Sequence, residues 1–159
     1  METNLSLLFS QNALLERQST QALLALNEET SAHGLRLTED QALSLVHTRE
    51  ESLKKTGRVE FGGGVIERLI RAFCDSPYLS QDNYVETLHA LVDLFYEFKN
   101  ETLDLLSDAE LVSFMKQAFD GACAGSIDLL AWQALPALAQ HLHEGRSFKS
   151  FRLDTEAWV

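Results

Sequence analysis

This chain of 159 residues predicts an all-α fold, a compact array or bundle of about six helices. Three observations carry that expectation. Only two prolines and eight glycines interrupt the chain. Apolar residues recur at spacings of three and four through most of its length. Helix-start patterns of the Ser/Thr-x-x-Glu/Gln type stand at the heads of two strong runs. No linker or repeat divides the chain, so 1–159 reads as a single helical domain with enough material for a core.

A first helix is expected over about 11–30, capped by Ser10, with Leu15, Ala22 and Leu26 on one face and Gly34 ending it. Thr38 starts a second helix, and Gln41 three residues on completes a capping box. Its inner face is Ala42, Leu43, Val46 and Leu53, and its outer face pairs Glu50 with Lys54 and Glu51 with Lys55. RVEF follows Gly57 and suggests a short extended element around 58–61. A third helix runs from Val65, burying Ile66, Leu69, Ile70 and Phe73, and stops at Ser76-Pro77.

The fourth helix is the most regular, with Tyr84, Leu88, Leu91, Phe95 and Phe98 as its core stripe. Glu86, His89, Asp93 and Glu97 form its polar face, and Tyr96 falls off the stripe, on a groove or the surface. Ser107 with Glu110 caps a fifth helix that buries Leu111, Phe114, Met115, Ala118 and Phe119. After GACAG, Ser126 caps a sixth helix carrying Ile127, Leu130, Leu135 and Leu138, kinked or divided at Pro136. The tail from about 145 holds Phe148, Phe151 and Trp158, and reads as either a docking segment or a flexible end.

The charge bounds the partners. The net charge is −11, and residues 75–144 hold twelve acids against two bases, Lys99 and Lys116. Such a surface repels a phosphate backbone, so nucleic acid is not an expected partner, whereas a basic protein or plain solubility is compatible. The opening METNLSLLFSQ lacks a basic start and a long apolar run, and no run approaches membrane-spanning length. A cytoplasmic protein without a membrane partner is therefore expected.

Chemistry-bearing patterns are sparse. Glu86-Thr-Leu-His89 has the spacing that di-iron bundles use, but it stands alone and faces away from the core stripe, so no metal is assigned. His141 and His143 suit a helix C-terminus. Cys74 ends a helix beside Asp75, which opposes a thiolate, and Cys123 reads as packing. No serine-hydrolase elbow, zincin or EF-hand pattern occurs, and no catalytic residue or cofactor is assigned.

TGRVEFGGGVIERL, residues 56–69, is the one stretch that offers a site. It lacks the Lys-Ser/Thr of a P-loop and the Gly-x-Gly-x-x-Gly of a dinucleotide fold. What it keeps is a turn needing residues without a Cβ, and the start of a helix that can seat an anion. Arg58, Gly62, Gly63, Gly64, Arg68 and Arg71 are the candidate ligand-binding residues, with Glu60 and Glu67 working against them.

GRVEFGGG, FCDSPY and FYEFKNE, within a likeness over most of residues 20–130, resemble an uncharacterised family of anaerobic Gram-positive-type bacteria. The resemblance implies a small, mostly helical cytoplasmic protein and carries no assigned activity or catalytic residue. Two readings of function follow. One is a non-catalytic helical interaction module, an adaptor or subunit with a protein partner or a second copy of itself. The other is a small-molecule or anion-binding protein, or an enzyme, with its site at the Gly62–Gly64 helix start.

Overall fold

The structure, a computed structural model, describes the backbone of residues 2–60 and 62–153 and the side chains from residue 13 onward. Every regular element among the described residues is helical. Six longer helices, α1 (Glu2–Ala25), α3 (Glu39–Thr56), α4 (Gly64–Phe73), α5 (Tyr84–Glu101), α6 (Asp108–Asp120) and α8 (Leu135–His143), are joined by single-turn pieces α2 (Asn27–Thr30) and α7 (Ile127–Leu129). Helix α5 is central and packs against α3, α4, α6 and α8. Its stripe of Tyr84, Leu88, Leu91, Phe95 and Phe98 is buried. The inner faces expected for α4 and α6 are buried as well. Phe73 of α4 meets Phe119 of α6 edge-on, with ring centroids 5.5 Å apart. Among the described residues no helix is long and apolar enough to cross a membrane.

The N-terminal region departs from expectation. α1 begins at Glu2, so Ser10 lies inside it and not at its cap. Leu15 is 43% exposed, and Leu23 takes the core position beside Leu26. The helix also breaks early, after Ala25. The Asn27 side chain explains the break, since it donates to Leu37 O at 2.9 Å and accepts from the Leu37 amide at 2.8 Å. A buried amide satisfied by a distant backbone strand of chain outweighs one more helical turn. Gly34, at φ 77°, then reverses the chain.

Both capping boxes, Thr38 with Gln41 and Ser107 with Glu110, form in full. On α3, Leu43 is only half-buried and Leu45 fills the core instead. Glu50 reaches Arg49 at 3.2 Å, and neither expected Glu–Lys pair forms within ion-pair distance. Residues 58–60 form no strand, and Phe61 lies outside the described residues. Pro136 does divide the last helix. Leu130–Ala134 form a π turn in which the Leu135 amide bonds back to Leu130 O. The wide turn sits where an α-helical carbonyl four residues before Pro136 would meet its ring. Downstream, Phe148 and Phe151 stack edge-on against Phe114, while Trp158 is outside the described residues.

Candidate functional site

Helix α4 begins at Gly64, after a glycine turn whose left-handed backbone costs least without a Cβ. Gly62 and Gly64 have φ of 63° and 52°. A Cβ at Gly64 would also run into Glu60 Oε1 and lie 2.9 Å from Arg49 Nη1, so a side chain here must displace both side-chain tips as well as accept a strained φ. At Gly63 the obstacle is the Glu67 side chain.

The head of α4 already holds an anion, and it comes from the chain. Glu60 Oε1 accepts the Val65 amide at 2.9 Å, and Oε2 accepts the Tyr96 hydroxyl. The helix N-terminus favours negative charge at that point. Tyr96 is 1% exposed, not on the surface. Burial first, and the Glu60 hydrogen bond second, push its ionisation well up, so it remains a donor.

Arg49 closes the cluster from α3. It is 1% exposed and donates from Nη1 to Gly62 O at 2.7 Å and from Nη2 to Ser19 Oγ at 3.0 Å. Its enclosed Nε has no hydrogen-bond partner among the described residues. Sequence reading missed Arg49, although it falls on the buried face of α3 that runs through Ala42, Leu45, Val46 and Leu53.

Between α4 and α6 runs an open groove of about 960 Å³. Buried Val65 and Val112 and the small side chains of Ala72, Ala109 and Ser113 line it, among mostly polar and charged neighbours. Gly64, Arg68 and Arg71 of the expected site line it, with Glu60 at one end. Gly62 instead lines a second cavity of about 470 Å³, bounded by residues of α1 and α3 and by Val59 and Glu60. Arg58 leaves the junction altogether and donates to Asn100 Oδ1 in the last turn of α5 and to Asp104 Oδ1 just past it, each at 2.7 Å.

Most groove charges are tied down. Arg71 pairs with Glu67 at 2.8 Å and Glu29 at 3.4 Å. Lys116, which the sequence did not single out for the site, pairs with Asp75 at 2.5 Å and Asp120 at 3.0 Å. Asp108 is held by Lys99 at 2.9 Å. Arg68 has no ion pair within reach among the described residues.

The other candidates resolve into packing and bridging roles. His89 does not face solvent; it sits between α3 and α5, bonded to Ser44 Oγ at 3.1 Å and Thr48 Oγ1 at 2.7 Å. Its partner in the Glu-x-x-His pattern, Glu86, is exposed. Among the described residues no group of three metal-ligating side chains converges. His143 bonds Glu101 O, and His141 bonds Ser147 O, fastening the C-terminal segment. Burial, then Asp75, pushes the Cys74 thiol up, and burial pushes Cys123 to about 11.

Fold and site together define an all-α chain in which Glu60 caps the head of α4 beside an interhelical groove. The chain belongs to a family of unknown function, DUF6323, which matches residues 22–148. No curated protein and no solved structure matches it.

Proposed function

We propose that this is a helical interaction module, non-catalytic and cytoplasmic, whose α4–α6 groove receives a segment of a protein partner. The observation that carries the reading is the groove itself. Val65 and Val112 give it an apolar patch, its small residues let a third backbone approach, and Arg68 lines it with no ion pair among the described residues. A segment with an apolar face and a carboxylate opposite Arg68 complements it. The net charge of −11 speeds encounter with a partner that is basic elsewhere.

Affinity capture from the native host tests this, with Ala109→Arg as the groove-blocking variant. A stoichiometric partner held by the wild type and lost on Ala109→Arg is expected. A monodisperse wild-type monomer that holds no partner would defeat the reading, and light scattering on the purified chain reveals a second copy if that is the occupant.

A second reading takes the groove as a small-molecule site, favoured by Arg68 standing one helical turn beyond Gly64 on the same face. A thermal-shift screen of phosphate and carboxylate metabolites tests it. A stabilising hit lost on Arg68→Ala supports this reading, and no shift with any of them removes it.

A further inference from the structure

Two donors of different origin hold the Glu60 carboxylate, the Val65 amide at the head of α4 and the buried Tyr96 hydroxyl, while the Arg49 guanidinium lies behind the glycine turn and donates elsewhere. Arg49 is the unusual neighbour. It is enclosed, its Nε finds no acceptor among the described residues, and its one ion-pair partner there is the half-exposed Glu50 at 3.2 Å. Glu60 itself lies beyond ion-pair distance, so the buried cation is only partly compensated.

The position of Glu60 is equally telling. Its side chain lines both the α4–α6 groove and the smaller cavity bounded by Arg49. It projects from a segment that forms neither helix nor strand: Arg58 is anchored to Leu53 O, Asn100 and Asp104, but Val59 and Glu60 make no backbone hydrogen bond among the described residues. A carboxylate on such a strap can leave its seat without unravelling an element.

We infer that the head of α4 is a carboxylate-binding seat, with Glu60 as its resident, displaceable occupant. An incoming carboxylate passes Arg68 along the groove and takes the Val65 amide and the Tyr96 hydroxyl as Glu60 turns out. Two donors spaced for two oxygens fit a planar carboxylate better than a tetrahedral phosphate. This rests on the groove being the entry route. A tethered competitor keeps affinity for a free acid low, and a carboxylate borne on a segment already in the groove gains by effective concentration.

The test is an NMR titration of the full chain at pH 7 and constant ionic strength, following the Val65 amide. Acetate and the amide of N-acetylglutamate are the two probes, free acid against peptide-like acid, with chloride and inorganic phosphate as references. Wild type is expected to show a saturable Val65 shift with the carboxylates and none with the references. Glu60→Ala, which vacates the seat, should bind roughly tenfold tighter, equivalent to about 1.4 kcal/mol. Glu60→Gln, which keeps the volume and one acceptor, should fall between. If wild type shows no saturable shift, Glu60 is a fixed cap and the proposal is overturned, whether or not Glu60→Ala folds. That result leaves partner capture in the groove unaffected, so the two readings fail separately.

Discussion

Gly64 is the residue where local geometry and the site meet. Its φ of 52° already costs about 1–2 kcal/mol for a residue with a Cβ. The added Cβ would also strike Glu60 Oε1. Gly64→Ala is therefore expected to lower stability by about 2–4 kcal/mol in denaturant melts, combining strain with loss of the Glu60 cap. Gly62→Ala makes the contrast: its φ is similar, but the Cβ would meet nothing within 4 Å, so only the strain of about 1 kcal/mol remains. Equal losses at the two positions would refute the close-approach argument. The triple glycine was legible as a turn, but which glycine carries the crowding depends on Arg49 and Glu60, whose side chains arrive from outside the motif.

At the scale of the element, helix starts were the most readable feature. Thr38–Gln41 and Ser107–Glu110 are local four-residue devices, so their sequence and their geometry coincide. Thr38→Ala and Ser107→Ala should each cost about 1 kcal/mol, read from chemical melts. The effects should add, because the two caps start different helices, α3 and α6, that are not closely packed on each other. The inner faces of α4, α5 and α6 were readable for a related reason, since a 3.6-residue period follows from helix geometry alone. Misreadings fall where a side chain is claimed by a neighbour. Asn27 breaks α1 through its bonds to Leu37, and His89 is drawn between α3 and α5 by two hydroxyls on α3.

For the molecule as a whole, alkaline pH probes the core. Burial raises Cys123 from 9.0 to about 11 and, with help from Cys74, Tyr84 from 10.0 to about 12. Both groups are neutral when protonated, so the native state holds their protons more tightly than the unfolded chain does. Their contribution to stability is complete below pH 9 and is lost as pH rises, between about 9 and 11 for Cys123 and about 10 and 12 for Tyr84. Melting temperature should fall from pH 9 upward, with Cys123→Ala making the fall between pH 9 and 11 shallower while Cys74, raised in the same direction, keeps the onset in place. An unchanged slope in that window would show that Cys123 ionises as freely folded as unfolded.

Acid pH probes the α3–α5 interface in the opposite sense. Burial lowers His89 below its usual 6.5, against a smaller opposing effect of Asp93. The unfolded chain then takes up the proton first, so stability is complete above pH 6.5 and declines as pH falls below it. His89→Gln should flatten that acid limb of the melting curve while leaving the alkaline limb in place.

What the chain determines without its tertiary structure is the helical class, the two capping boxes and the core faces of α4, α5 and α6. Each depends on residues within a few positions of one another, where backbone geometry alone sets the outcome. Tertiary structure decided the rest. Glu60 finds Tyr96 across 36 residues, and Arg49 finds Ser19 across 30. The groove exists only because α4 and α6 lie side by side. A buried charge must be matched by whatever donors and acceptors the packed neighbours present, and no local period encodes which neighbours those are.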